Sequence, residues 1–226
     1  MRVIIGAATI ALVTATAGFA GTVSTKLADR IKEAATVLND IHAVPDKDIP
    51  QDLWEKADCV IVVPSLKKAA FIFGGEYGKG LMSCRRRGAW SPPIFMGIGK
   101  GSWGAQIGAQ TVDLVLLVMN EGGMEKLLSN KVTLGVEASV AAGPVGRDLR
   151  AATDIQLTAE ILSYSRTRGI FAGVNITGGV MKADPDDTQD IYGKGIMPRH
   201  IVVGDIQQAP DEMLPFMDAL KSAPRT

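Results

Sequence analysis

Two histidines and two cysteines in 226 residues leave little with which to hold a metal ion. Their positions, His42, His200, Cys59 and Cys84, match no ligand spacing. The same scarcity removes most catalytic arrangements. No G-x-S-x-G elbow occurs, and neither histidine lies in a setting that marks a general base. Walker loops are missing too, since Gly78-Lys79, Gly99-Lys100 and Gly193-Lys194 are each followed by glycine instead of Ser or Thr. Aromatic residues make up 5% of the chain, and 24 Lys+Arg balance 24 Asp+Glu, so no global charge attracts nucleic acid. After the first twenty residues no segment is apolar for the roughly 20 residues that a membrane-spanning helix needs.

Glycine is what the sequence has in quantity, 25 residues in all. Nine of them fall between Gly74 and Gly104, interleaved with Tyr77, Trp90, Phe95 and Trp103, a composition that favours strands, turns and bulges over helix. The same region concentrates positive charge. Lys67, Lys68, Lys79, Arg85, Arg86, Arg87 and Lys100 stand against Glu76 alone, so this window carries +6 on a neutral chain. If its strands fold as one antiparallel meander, these residues form a single basic face, with Trp90, Phe95 or Trp103 available at an interface. The bland alternative is a solvated face balanced by acidic helices.

The N-terminus reads as an export signal: Met1-Arg2, an apolar stretch Val3–Val13, and small residues up to Ala20. Cleavage after Ala20 would leave residues 21–226 as one mature domain in the periplasm or outside the cell. No cysteine near Ala20 offers a lipid attachment point. Export permits a disulfide, but Cys59 and Cys84, each in an apolar strand, suit two unpaired core residues as well as a pair. The expectation leans to free, buried thiols.

Thr25–Val44 has an amphipathic helical period through Leu27, Ile31, Ala34, Leu38 and Ile41. Its polar side mixes both charge signs, which suits a helix packed on the domain better than one facing a membrane. A short helix follows Asp48-Ile49-Pro50. Strands are expected over Cys59–Val63, ended by Pro64, then Phe71–Gly74, Gly80–Arg87, Ile94–Gly99 and Ala105–Met119. Lys131–Ala142 alternates most cleanly, and Ile161–Ser165 with Ile170–Thr177 makes a further pair. Met124–Leu128 reads as a short helix. Asp184 caps another, with Pro185 in its first turn and Gly193 at its end, and a last amphipathic helix covers about Asp211–Leu220. The fold class is α+β: an antiparallel barrel or sandwich flanked by helices from both termini.

Three motifs invite chemistry and are outweighed. Gly99–Gly104 matches G-x-G-x-x-G, but strand, not helix, follows it. Ser102 among glycines could be a nucleophile, yet reads more simply as a turn serine. Asp113, alone in an apolar segment, is either a site carboxylate or one satisfied by backbone N–H groups or by an arginine such as Arg147. The acidic set Asp184, Asp186, Asp187 and Asp190 lacks the glycine and distal glutamate of a calcium loop and suits a helix N-terminus. No catalytic residue, cofactor or metal is assigned.

The ordered blocks DCVIVVP, FIFGGEYGKG, WSPPIF, GKGSWGAQIG, ASVAAGPVGR and ILSYSRTRGIFAG resemble the SYLF domain over roughly Thr25 to Gly204. That family includes bacterial secreted proteins and eukaryotic endocytic proteins that bind phosphoinositides and actin. The resemblance implies a non-enzymatic domain binding anionic phospholipid head groups. Residues Lys67, Lys68, Lys79, Arg85, Arg86, Arg87, Lys100, Trp90 and Trp103 are the candidate contacts. The alternative is an envelope scaffold that binds a protein partner and no lipid. Actin bundling, implied by the fungal members, is set aside for an exported chain.

Overall fold

A computed structural model of the chain describes residues 24–43, 49–70, 73–103, 108–129, 131–145, 158–167 and 170–222. The expected export signal, Asp48 and Arg147 lie outside these residues.

Helix α1 (Thr25–His42) starts where the Ser24 hydroxyl accepts the Leu27 N–H, and its whole apolar stripe is buried. A short α2 (Gln51–Lys56) follows Pro50. Then come β1 (Cys59–Ala70), β2 (Phe73–Arg86), the two-residue β3 (Ala89–Trp90), β4 (Ile94–Trp103) and β5 (Gly108–Val118). Helix α3 (Glu121–Ser129) separates these from β6 (Val132–Thr133), β7 (Val140–Ala142), β8 (Ile161–Thr167), β9 (Ile170–Gly173) and β10 (Val180–Ala183). Helices α4 (Pro185–Tyr192), α5 (Pro198–Val203) and α6 (Leu214–Lys221) complete the chain, a 3-10 turn at Asp211–Met213 leading into the last.

The strands form one curled sheet in the order β6-β10-β4-β2-β1-β5-β8-β7. Every described pairing between these strands is antiparallel except that of β7 with β8. The α+β expectation of an antiparallel barrel or sandwich with flanking helices is met, as a sheet curled into a half-barrel. The meander is not. β5 returns to lie beside β1 instead of beside β4, which is the Greek-key order. The segment Leu114–Val118 is buried on both faces, which a place inside the sheet satisfies and an edge does not.

Alternation divides the side chains into two cores. Val60, Val62, Leu81, Phe95, Val115 and Leu117 face α1, α2 and α6. Ile61, Val63, Met82, Met96, Leu114 and Leu116 fill the inside of the curl with Met124 of α3 and Ile201 of α5.

Four sequence expectations need correcting. β1 does not stop at Pro64: it passes through a register shift between Val63 and Leu66 and continues to Ala70, with Ser65 at φ 53°. β2 is likewise one continuous strand, not the separate strands Phe71–Gly74 and Gly80–Arg87. Glycine is needed there for room, because a Cβ on Gly80 would lie 2.0 Å from the Val62 carbonyl oxygen where β1 bulges toward it. The cysteines are not free thiols; Cys59 and Cys84 face each other across β1 and β2 and are joined in a disulfide. Finally, Lys131–Ala142 is not one strand. It contributes β6 and β7 to opposite margins of the sheet, joined through a turn in which Gly135 takes φ 80° and Val136 is 77% exposed. The turn carries an isolated bridge from Leu134 to Ala138, and the alternation continues inward only at Val132, Leu134 and Ala138.

Candidate functional site

Beyond Leu66, Gly78, Ile98 and Val112, none of the described side chains of β1, β2, β4 and β5 is buried. These four strands therefore project past both cores as a bare antiparallel sheet, about 13 Å long at 3.3 Å per residue. Register fixes what they carry. Lys67 pairs with Tyr77 and Thr111, and Tyr77 with Gly99; Lys68 pairs with Glu76 and Gln110, and Glu76 with Lys100. The two-residue period puts Lys67 and Tyr77 on the side of α1, and Lys68, Glu76 and Lys100 on the other. Tyr77 is 58% exposed. Lys68 reaches Glu76 at 3.4 Å, whereas Lys67 and Lys100 make no ion pair among the described residues. Trp103 ends β4 opposite Phe73, and its side chain lies outside what is described. So does that of Ser102.

The remaining candidates do not join this group. Lys79 turns inward along the helical side, 2.7 Å from Asp184 and 2.8 Å from Asp187. Asp187 also holds Arg30 of α1 at 2.7 Å. Two cations and two carboxylates thus clasp α1, β2 and α4 together. Burial pushes the Asp184 carboxyl up, but the Lys79 ammonium and the Asp187 N–H outweigh it and leave it below the usual carboxylate range. Between this clasp and Tyr77 runs a groove of about 420 Å³ lined by both signs of charge, including Lys26, Asp29, Glu33 and Lys67.

Arg85, Arg86 and Arg87 lie at the other end of β2, level with Asp58 and on the order of 25 Å from Lys67 along the strands. Arg85 sits over the Trp90 ring, 4.1 Å from its centroid, and donates to the Trp54 carbonyl. Trp90 packs edge-on against Trp54. Arg86 donates to the Val202 carbonyl at 3.1 Å. Arg87 is exposed at the turn into β3. The single basic face expected from the sequence is therefore divided: Lys67, Lys68 and Lys100 occupy the projecting end, Lys79 and Arg85–Arg86 are tied into the fold, and Trp90 is a packing residue.

Asp113 is engaged in contacts within the fold. Its carboxylate accepts the Ser65 N–H at 3.0 Å and the Arg166 Nε at 2.8 Å, and Arg166 reaches on to Asp40 of α1. The arginine partner among the described residues is Arg166. The strand running through Gly99–Trp103 leaves no helix start there for a dinucleotide. Among the described residues no group of three or more His, Cys, Asp or Glu is placed to hold a metal ion, and no helix is long and apolar enough to cross a membrane.

Sequence reasoning missed the Lys79–Asp187 and Arg166–Asp40 contacts, which span 108 and 126 positions. The only local signal was the Asp184-Pro185 helix start, which marked the carboxylates without naming their partner.

Comparison with known proteins adds a family. A family model described as Ysc84, Las17-binding protein actin regulator, matches residues 99–223. An SH3 domain-containing protein of Schizosaccharomyces pombe is 33% identical over 152 residues, 66% of this chain and 35% of that protein. SH3 domain-containing YSC84-like protein 1 of Homo sapiens is 30% identical over 190 residues, 81% of this chain and 55% of that protein. LAS seventeen-binding protein 3 of Saccharomyces cerevisiae is 28% identical over 190 residues, 82% and 41% respectively. The chain thus spans between about a third and a little over half of these relatives' lengths.

Proposed function

The chain belongs to the Ysc84 family of SYLF domains, and from that premise we propose that it is a non-catalytic binding domain attaching to anionic phospholipid head groups through its projecting end. The relatives are named for SH3 domains and for Las17 binding, in keeping with a domain that binds. The observation carrying the lipid reading is the solvated end of β1, β2, β4 and β5, where Lys67, Lys68 and Lys100 stand against Glu76 alone, beside an exposed Tyr77.

Each basic residue near an anionic surface contributes about 1 kcal/mol. Three lysines less one glutamate give about 2 kcal/mol, roughly a thirtyfold enrichment. Such attachment is weak, reversible and weakened by salt. The setting we propose lies outside the reducing cytosol, on the strength of the N-terminal pattern and the Cys59–Cys84 disulfide.

The test is co-sedimentation of residues 21–226 with phosphatidylglycerol vesicles and with phosphatidylcholine vesicles, at low and high salt. Salt-sensitive binding to the anionic vesicles alone, lost in Lys67→Glu/Lys100→Glu and kept in Arg87→Glu, is the expected result. Equal binding to both vesicle types, or loss in Arg87→Glu only, would remove the reading. A second reading, a domain docking a protein partner, is favoured by the Las17-binding name of a relative and by how much of the basic window is spent on internal contacts. A partner complex that survives high salt would select it.

A further inference from the structure

Helix α3 ends at Ser129 and β10 turns at Ala183 into Asp184-Pro185, while Met197-Pro198 brings the chain back to begin α5. These three junctions leave an open groove of about 320 Å³ between them. Its floor is apolar: Leu127 is buried, Leu128 half-buried, and Met197 is 45% exposed. Its rim is cationic, with Lys131 and Lys182 exposed and Arg199 beside them. None of its lining residues belongs to the projecting end.

The charge at this rim is not a by-product of a basic protein, because the chain is neutral overall. Arg199 is met by Glu125 of α3 at 2.8 Å, both side chains well exposed, a contact that a competing carboxylate can replace at small cost. Lys131 lies within the field of Glu137. Neither Lys131 nor Lys182 makes an ion pair among the described residues. An open groove this small has room for one or two apolar side chains and does not enclose a long chain. Three cations around an apolar floor complement carboxylates flanking an apolar anchor, an arrangement that supplies steering from the rim and affinity from the buried centre.

We propose that this groove docks an acidic peptide segment of a protein partner, one or two leucine-like side chains seated over Leu127, Leu128 and Met197 and flanking Asp or Glu residues engaging Lys131, Lys182 and Arg199.

The probe is a fluorescein-labelled peptide with two central leucines and three glutamates on each side, titrated with the purified chain and followed by fluorescence anisotropy. Binding is expected to fall at least tenfold when the leucines are replaced by serine, at least tenfold in Lys131→Glu/Lys182→Glu, and at least tenfold in Met197→Glu, which puts a carboxylate on the apolar floor. Lys67→Glu/Lys100→Glu should bind as the parent does. Both groove variants change exposed side chains, and circular dichroism confirms that each is folded; should the charge reversal fail to fold, Met197→Glu alone decides. No binding up to millimolar peptide overturns the proposal, as does equal binding of the serine version or undiminished binding by the groove variants. Loss of phosphatidylglycerol vesicle binding in the groove variants without loss of peptide binding would assign the groove to a lipid surface instead.

Discussion

Removing the Cys59–Cys84 bridge is the perturbation whose size the structure fixes most directly. The two cysteines are 25 positions apart, and in the chain-entropy account closing a loop of that length restricts the unfolded state by about 3.5 kcal/mol at 25 °C. Both residues are fully buried in the core inside the curl, so Cys59→Ala/Cys84→Ala also leaves the neighbouring Ile61 and Met82 less tightly packed. Reduction of the parent isolates the cross-link without that packing loss. With a urea m-value of about 2–3 kcal/mol/M, the midpoint should fall by roughly 1–2 M on adding reductant. Fluorescence of Trp54 and Trp90, which pack against the helical core on the other side of β1 and β2, reports the transition. The reasoning fails if oxidised and reduced protein unfold at the same midpoint, or if two cysteines of the unreduced, urea-unfolded chain are alkylated.

Three other outcomes follow from the geometry. Gly80→Ala drives a methyl into the Val62 carbonyl, so a loss of about 3 kcal/mol or more, or failure to accumulate folded protein, is expected in a thermal melt. The Asp184 carboxyl is held below its ordinary value in the folded chain; a depressed folded pKa adds stability present above the unfolded value and lost as pH falls through the folded one. Urea midpoints should therefore decline below about pH 4, and less steeply in Lys79→Met than in the parent. Asp113→Ala leaves the Ser65 N–H without its acceptor and Arg166 with Asp40 alone and should lower stability by about 2 kcal/mol, whereas Asp113→Asn, able to keep the Ser65 contact, should lose less.

Local order made much of the fold legible. The four-and-three spacing from Leu27 to Ile41 named α1, Asp184-Pro185 and Gly193 bracketed α4, and the β8–β9 pair followed from two apolar runs around Arg168-Gly169. What was not legible depends on partners distant in the chain. Val180–Ala183 is too short to announce β10 and becomes a strand by pairing with β4. The Val132–Val140 alternation looked like one strand because sequence cannot show that its two ends are claimed by strands on opposite margins. The basic window was read as a face because strand direction was unknown: with β2 continuous, its arginines fall at one end of that strand, while Lys67 and Lys68 of β1 and Lys100 of β4 lie beside the other. The Greek-key return of β5 was invisible for the same reason, and with it the meeting of Asp113 and Ser65.

The exposed turn at Val136 is the covalent tie between β6 and β7, and so between the two margins of the curled sheet. Proteolytic nicking at Val136 would cut that tie and leave β6 held by β10 and β7 by β8, two short margins whose release would bare the strand edges on which copies of a β-protein add to one another. Protection of this turn therefore guards the chain against self-association as much as against unfolding.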